Sequence, residues 1–317
     1  MRKPLNLKIL VPILLSVSLL VFLLGFANLS VVFDRIRRLT LAPILAAVGL
    51  ATAYLPLKLV QFRRLLAKLA IHPSWARMTL AFVIGEMSLS LPAGAYAQNF
   101  MLRHLHGAQI SRSAAATTFV LAFEGAIALI SLAVLGIPAW GWLRPVLGVF
   151  FAAATLVISL LLVRRIRQGL TWVVTADGWR KPGGWLLILA RSVRELVTPA
   201  TLAPGVLLAG TYMYCVVAAF WIVGRAVGLT DFRFVEATTV YFFGLAVVLL
   251  LGPASTQLGV IEASGLGAMF AWGYGRDESL AALLAFRLVW TGSIWLVCGL
   301  TALILRAELG AAADEGR

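Results

Sequence analysis

Four charged side chains stand inside long apolar runs of the sequence: Glu86, Glu124, Glu262 and Arg287. A charge within a hydrocarbon-like segment is costly unless it is paired or faces water, so such residues usually mark a functional site. Arg287 lies in the apolar run that follows Glu262, and we expect the two to form an ion pair. The pair either holds two segments together or contacts a substrate, and both interpretations stay open at this stage.

Glu86 and Glu124 have no basic residue within their own apolar runs. Lys58, Arg103 and Arg112 lie near the ends of neighbouring runs and are the cations that could reach them. A carboxylate in such a position is suited to bind a cationic headgroup or to carry a proton. We therefore expect these two acids to serve a substrate rather than the fold alone.

Proline and glycine interrupt two of the apolar runs near their middle. The first break contains Pro92 and Gly94, and the second, GPASTQLG, contains Pro253 and Gly259. Proline removes a helical hydrogen bond and glycine permits a sharp turn, so both runs should fold as broken helices. Such breaks are tolerated at membrane depth only where protein or a water-filled cavity satisfies the backbone, and half-helix N-termini there attract phosphate.

Gln98 closes the first broken run, where it either contacts the substrate or caps a helix end. With it, the set of predicted substrate-binding residues is Glu86, Pro92, Gly94, Gln98, Glu124, Pro253, Gly259, Glu262 and Arg287.

Motifs for catalysis or metal binding are lacking in the sequence. His104 and His106 form an H-x-H pair, but no cysteine or carboxylate stands beside them, so we expect no metal site. The sequence contains no G-x-S-x-G, no H-E-x-x-H and no P-loop. We therefore expect no catalytic residues, no cofactor and no enzymatic activity.

The composition is that of an integral membrane protein. Of 317 residues, 61% are hydrophobic and 13% are charged, and the mean hydropathy is +0.95. Soluble domains carry about 25% charged residues. The net charge of +14 comes from short basic clusters between apolar runs, where it sets membrane topology, so we expect no nucleic-acid partner.

Apolar runs long enough to approach or cross a bilayer make up most of the chain, which we interpret as one transmembrane domain over 1–317. The first run follows Arg2 and Lys3 and is interpreted as a retained helix rather than a cleaved signal peptide. The predicted spans are 9–27, 41–60, 78–98, 114–135, 145–163, 204–224, 236–272 and 281–305, of which 236–272 could make two short passes.

Loop charge sets the predicted orientation. Residues 58–77 are basic without an acid, and 164–203 carry seven basic residues and two acids, which places both in the cytoplasm. Three apolar runs lie between these loops, so one of them must return to the side it came from. We assign that role to 78–98 because of its central Pro-Gly break, and we expect the following loop, 99–113, and both termini to be cytoplasmic.

The order of these segments predicts an inverted repeat. Residues 41–135 read as helix, broken hairpin and helix, and residues 204–305 read as the same series in the opposite orientation. The segment LPAG at 91–94 echoes GPAS at 252–255, and SRSAAATTFVLAFEG at 111–125 echoes DESLAALLAFRLVWTG at 277–292. Inverted repeats with discontinuous helices are typical of transporters. Residues 164–203 would link the halves and contain an interfacial helix at 183–198.

The motifs GPASTQLGVIEA and LAALLAFRLVWTG resemble those of the lysylphosphatidylglycerol synthase transmembrane-region family. Gly259, Val260, Glu262 and Ala263 match its first motif, and Ala285, Phe286 and Arg287 match its second. The chain departs from the family pattern at PASTQLG, and at Gln98, which stands where the family usually has an acid. The resemblance implies a flippase-like domain without the aminoacylation domain found in some members.

We therefore expect a cytoplasmic (inner) membrane protein that moves a lipid or lipid-linked headgroup between leaflets. The expected partner is a membrane phospholipid or a polyprenyl-linked lipid, and the oligomeric state is left open. Two alternatives remain: a non-transporting accessory protein of a lipid or envelope-glycan pathway, and a lipid-modifying enzyme using Glu86 or Glu124 as a base.

Overall fold

The computed structural model describes residues 25, 28–91, 94–136, 188–189, 191–251 and 259–314. Within these ranges the chain is helical and contains no strand, which confirms the predicted all-α polytopic membrane fold. The predicted spans 9–27 and 145–163, and most of the linker 164–203, lie outside the described residues. Of the predicted interfacial helix at 183–198, residues 188–189 and 191–196 are helical.

Nine helices of the described residues are labelled here in chain order. They are α1 (Leu29–Arg37), α2 (Leu41–Lys68), α3 (Trp75–Met87), α4 (Ala97–His106), α5 (Ile110–Ser131), α6 (Pro199–Ala226), α7 (Phe234–Leu251), α8 (Val260–Ala271) and α9 (Arg276–Asp314). A 3₁₀ turn at Gly94–Tyr96 precedes α4, and a π-helical turn at Leu132–Gly136 continues α5.

Four of these helices are long and apolar enough to cross a membrane: α2, α5, α6 and α9. Large apolar side chains on their surfaces point away from the protein, among them Leu41, Leu207, Leu288 and Leu303. Because such a surface is unfavourable in water and favourable in lipid, the long helices present it to the bilayer.

The centre of the fold is the seam between α2 and α6, which make the most extensive helix contact among the described elements. Helices α5 and α9 each pack against both of them. Small residues permit this close packing at several points. A Cβ atom at Gly205 of α6, for example, would overlap the Phe123 ring of α5.

The first broken run folds as two short helices that pack on each other, α3 and α4. At 13 and 10 residues they are about 20 and 15 Å long, whereas a bilayer core is about 30 Å thick. Gly94 sits at the break because a Cβ atom there would overlap the Ser88 carbonyl. These lengths suit the re-entrant interpretation, which stays a prediction.

The predicted loop 99–113 is wrong. Residues 97–106 form α4, residues from 110 onward belong to α5, and only 107–109 connect them. Helix α4 ends at Gly107, which adopts the left-handed conformation with φ of 72°. The loop prediction failed because the polar Asn99 is assigned to the loop from sequence, whereas Gln98 and Asn99 are both buried and bond to Thr117 of α5.

The second broken run also forms two packed helices, α7 and α8. Helix α7 ends at Leu251 and α8 begins at Val260, so the helices lie on either side of the predicted break at 252–259. Residues 252–258, including Pro253, lie outside the described residues. Gly259 starts α8 with φ of 83°, a conformation that favours glycine.

The orientation of the first hairpin can be tested by thiol labelling. In a Cys215→Ala, Cys298→Ala background, we expect a cysteine at Thr230 to react with an impermeant maleimide in intact cells and one at Gln109 to stay unlabelled. Both positions are exposed in the fold, so the side of the membrane on which each one lies decides whether it reacts. Permeabilising the cells should make both react. Equal labelling of the two in intact cells would contradict the re-entrant interpretation.

Candidate functional site

Three buried charges meet where α2, α3 and α5 come together. The ammonium group of Lys58 on α2 lies 3.1 Å from Glu86 Oε1 on α3 and 3.0 Å from Glu124 Oε1 on α5. The three residues are between 5 and 6% exposed. Of the three cations considered from the sequence, Lys58 is therefore the one that reaches both acids. Arg112 instead pairs with Glu195, at 3.5 Å.

Two tyrosines complete this charge cluster. Tyr54, one turn before Lys58 on α2, accepts a hydrogen bond of 2.8 Å from the Lys58 ammonium and donates one of 3.0 Å to Glu86 Oε2. Tyr212 on α6 donates a bond of 3.2 Å to Glu124 Oε1. The ammonium also lies over both tyrosine rings, which adds a cation–π attraction.

The cluster contains two carboxylates and one ammonium, so in its fully ionised form it carries one surplus negative charge. A structural ion pair would require no such surplus, because burying an unmatched charge is strongly unfavourable. A proton, or the ammonium group of a bound molecule, would neutralise it. The arrangement is therefore able to attract and release one positive charge.

The predicted ion pair between Glu262 and Arg287 is present. Glu262 Oε1 on α8 accepts a bond of 2.5 Å from Arg287 Nε on α9. The other carboxylate oxygen of Glu262 accepts a bond of 2.7 Å from the Gly259 amide at the start of α8. One carboxylate thus fixes the helix start after the break and ties α8 to α9. Both side chains are largely withdrawn from solvent.

Aromatic rings lie between the Lys58 cluster and the Glu262–Arg287 pair. The Trp290 ring of α9 packs edge-on to Tyr54 at 5.5 Å and stacks on Phe286 at 6.2 Å. Tyr241 of α7 packs edge-on to Phe286, at 6.1 Å between ring centres. The two charged groups therefore border the same central region, one from each predicted half.

Gln98 and Gly94 are placed beside this region rather than within the cluster. Gln98 is buried in the first turn of α4, and its Nε2 donates a bond of 2.9 Å to Thr117 Oγ1 on α5. The Gln98 Oε1 atom is buried and accepts no hydrogen bond from the described part of the chain. Gly94 shapes the turn before α4, and Pro92 lies outside the described residues.

A cleft of about 750 Å³ lies at the far end of α6, near the starts of α7 and α9. It is lined by aromatic and charged side chains, among them Trp221, Arg233, Glu236 and Tyr274. The Tyr274 hydroxyl donates a hydrogen bond to Glu236, and burial together with this bond raises the pKa of Tyr274. By the predicted topology this cleft faces the outside of the cell.

The family match includes the residues of both the Lys58 cluster and the Glu262–Arg287 pair. The model of the family described as the lysylphosphatidylglycerol synthase TM region matches residues 9–298, which include every predicted site residue. The chain belongs to this family. No curated protein and no solved structure matches the chain.

Membership of the lysylphosphatidylglycerol synthase TM region family identifies the chain as a membrane domain of a kind associated with lipid-related flippase and synthase proteins. The residues that carry the sequence resemblance include those of the Glu262–Arg287 pair. Gly259 and Glu262 start α8 after the break, and Arg287 binds Glu262 from α9. The two family motifs therefore meet in the structure, where α8 contacts α9 through the Glu262–Arg287 pair.

The basic pattern of residues 58–77 predicts Lys58 at the start of a cytoplasmic loop, and this prediction is wrong. Helix α2 continues to Lys68, so Lys58 lies ten residues before its end and is buried. Four basic residues still support the cytoplasmic assignment: Arg63, Arg64, Lys68 and Arg77. Tyr54 and Tyr212 were not identified at all. The spacing of four residues between Tyr54 and Lys58, which puts both on one helix face, was the available signal.

Proposed function

We propose that this protein moves a lipid, or the headgroup of a lipid-linked molecule, between the leaflets of the cytoplasmic membrane. The observation that carries the proposal is the buried cluster of Lys58, Glu86 and Glu124 with its surplus negative charge. A cluster of this kind is costly in a membrane, and its most direct use is to bind a positive group in transit. Transport requires no nucleophile, metal or cofactor, so the proposal is of a transporter and not of an enzyme.

The packing of the helices supports an inverted repeat. We pair α2 with α6, α3 with α7, α4 with α8 and α5 with α9. The main contacts among these eight helices then have counterparts: α3 packs on α9 as α7 packs on α5, and α2 packs on α9 as α6 packs on α5. Such repeats let one site open alternately to the two sides of a membrane. The seam of α2 and α6 would be the pseudo-symmetry axis.

The repeat would place opposite charges at equivalent positions. Aligning LAFE at 121–124 with LAFR at 284–287 matches Glu124 of α5 with Arg287 of α9. One half thus presents a carboxylate and the other a guanidinium toward the same aromatic region. An acid suits the ammonium of an amine-bearing headgroup, and a guanidinium suits its phosphate. The charges support a substrate that carries both groups.

The discontinuous helices would supply the path. Helices α3 and α8 are each too short to span a bilayer core, so polar backbone near their ends lies at membrane depth. Such backbone is satisfied by protein or by water lining a cavity. We infer that both hairpins are re-entrant from opposite faces, with both chain termini in the cytoplasm. A headgroup could then cross without entering hydrocarbon.

Reconstitution tests the proposal. Purified protein in liposomes should accelerate transfer of acyl-labelled phospholipid between leaflets, measured by quenching of the outward-facing label with an impermeant reductant. A panel with amine-bearing, glycerol and choline headgroups should show a preference for the amine-bearing lipid. Empty liposomes and liposomes with heat-inactivated protein provide the baseline. Transfer no faster than this baseline for every headgroup would overturn the transport proposal.

A failed transfer assay would favour the accessory-protein alternative, in which the same fold assists a lipid-modifying or glycan-assembling enzyme. Release of a chemically altered lipid in the same liposomes would favour the enzyme alternative. Thin-layer chromatography of the recovered lipids separates these outcomes, because transport leaves the lipid unchanged.

A further inference from the structure

The four carboxylate oxygens of the Lys58 cluster are not equally supplied with hydrogen-bond donors. Glu86 Oε1 lies 3.1 Å from the Lys58 ammonium, and Glu86 Oε2 accepts the Tyr54 hydroxyl at 3.0 Å. Glu124 Oε1 receives both the ammonium, at 3.0 Å, and the Tyr212 hydroxyl, at 3.2 Å. The fourth oxygen, Glu124 Oε2, accepts no hydrogen bond from the residues that the structure describes.

The donors of the cluster are all in use, so none of them is left for Glu124 Oε2. The ammonium of Lys58 carries three hydrogens, and its three partners are Glu86 Oε1, Glu124 Oε1 and the Tyr54 oxygen. Tyr54 and Tyr212 carry one hydroxyl hydrogen each, and both donate it to an acid. The surplus negative charge of the cluster is therefore least compensated at Glu124 Oε2.

No second cation stands beside Glu124 in the part of the chain that the structure describes. The Lys58 ammonium is the only cation there within 4 Å of it. Helices α6, α7 and α9 carry further titratable groups away from their ends: Tyr214, Cys215, Tyr241, Arg287 and Cys298. Of these, Arg287 alone is charged at neutral pH, and it is bound to Glu262. The basic residues of α4 stand exposed in its last turn.

We propose that a proton on Glu124 Oε2 balances the cluster while no substrate is bound, and that the ammonium of an amine-bearing headgroup displaces this proton. The protein is then a proton exchanger, in which one headgroup crosses the membrane for each proton that crosses the other way. This inference rests on the proposed transport function and adds its energy source, the proton gradient across the membrane.

The exchange is balanced in atoms and in charge. The carboxylic acid of Glu124 releases its proton to water, and the resulting carboxylate forms an ion pair with the headgroup ammonium. The cluster is neutral with the proton and neutral with the ammonium, and only the empty, fully ionised cluster carries a buried surplus charge. Because that empty state is unfavourable in a membrane, the site changes sides with one positive charge or the other, which couples the two movements.

A proton or an ammonium suits this position better than a metal ion does. A metal cation takes several oxygen ligands at once, whereas Glu124 offers one oxygen without a donor among the described residues. The Lys58 ammonium beside it would also repel a metal ion. An ammonium, by contrast, binds a carboxylate oxygen through a single charge-assisted hydrogen bond.

The bound proton can be tested without any transport, by infrared spectroscopy of the purified protein. A protonated carboxylic acid has a carbonyl band that a carboxylate lacks. At neutral pH the parent should show such a band, and Glu124→Gln should lack it. Glu86→Gln should lack it as well, because loss of either acid leaves a matched pair with Lys58. Glu195→Gln is the control outside the cluster and should keep the band.

Two conservative tyrosine variants locate the proton. Tyr212→Phe removes the hydrogen bond to Glu124 Oε1, which is the carbonyl oxygen of the protonated acid, so the band should move to higher frequency. Tyr54→Phe removes the bond to Glu86 Oε2 and should leave the band where it is. The reverse pattern would place the proton on Glu86 and overturn the assignment. Melting temperatures check that all variants are folded.

Coupling is measured in the liposomes of the transfer assay, with potassium and valinomycin holding the membrane potential at zero. With a pH difference of one unit, acyl-labelled phosphatidylethanolamine should become about tenfold enriched in the leaflet on the acidic side, because one proton leaves that side for each headgroup that arrives. Phosphatidylglycerol, whose headgroup has no ammonium, should keep its distribution. Protein-free liposomes with the same gradient provide the baseline.

The outcomes separate this inference from the function on which it rests. Absence of the protonated band from the parent would overturn the proton on Glu124. Transfer of phosphatidylethanolamine that ignores the pH gradient would overturn the exchange and leave the transport function standing. Transfer no faster than the baseline at every gradient would overturn the transport function itself, and the exchange with it.

Discussion

Replacing Glu124 by glutamine should abolish most lipid transfer in liposomes while the protein stays folded. Glutamine has the same shape and can still accept the Tyr212 hydroxyl, so the packing of α5 on α6 is kept. The substitution removes the surplus negative charge and leaves Lys58 and Glu86 as a matched pair. A lost contact to a charged group costs about 1.5–3 kcal/mol, which corresponds to transfer about 10- to 150-fold slower.

Glu195→Gln is the control for this prediction. Glu195 is exposed and pairs with Arg112 at 3.5 Å, so the control removes an acid from an ion pair outside the cluster. Its transfer rate should match that of the parent, and the size-exclusion profile and melting temperature of Glu124→Gln should show normal folding. Parent-like transfer by Glu124→Gln would make this acid structural and would support an accessory protein.

Replacing Arg287 by alanine should destabilise the fold by about 3–5 kcal/mol, because it leaves the Glu262 carboxylate buried without its cation. The measurement is the melting temperature and the yield of monodisperse protein in detergent. Arg306→Ala is the matched control, since Arg306 is an exposed arginine on the same helix. It should leave both quantities unchanged.

The exchange variant Glu262→Arg, Arg287→Glu should recover part of this loss. Recovery is expected to be partial because the Glu262 carboxylate also accepts the Gly259 amide hydrogen, and an arginine side chain is unable to do so. Glu262→Gln keeps an acceptor for that amide and loses the charge, so it should lie between the parent and Arg287→Ala. Parent-like stability of Arg287→Ala would show that the pair makes no contribution.

Much of the architecture follows from sequence because hydrophobic length and helix breaks are local properties. The runs that become α2, α5, α6 and α9 have enough apolar residues to span, and the structure forms them with only their ends shifted. The interruption in the second broken run is visible as Pro253 and the glycines, and α7 and α8 lie on its two sides. The Glu262–Arg287 pair was also predictable, because few cations lie near Glu262 in neighbouring runs.

Helix ends were less predictable because the same polar residue suits a loop, a helix end or a buried contact. The sequence assigns Asn99 to a loop and Gln98 to a substrate contact or a helix cap, yet both lie in the first turn of α4 and bond to Thr117 of α5. Thr117 is 18 residues further along the chain than Asn99, and nothing local in either segment specifies that contact. The buried contact with Thr117 therefore favours a helix where the local sequence indicates a loop.

The sequence by itself determined that the chain is a helical membrane protein, where its helices break, and that Glu86, Glu124 and Glu262 lie within apolar runs. Only the tertiary structure decided how those charges are matched. Lys58, Glu86, Glu124 and Tyr212 come from four different helices. Their meeting depends on how α2 packs against α3, α5 and α6, and long-range packing of this kind leaves no spacing in the sequence. Local periodicity gives the face of a helix, whereas the neighbour of that face is fixed by the packing of the whole molecule.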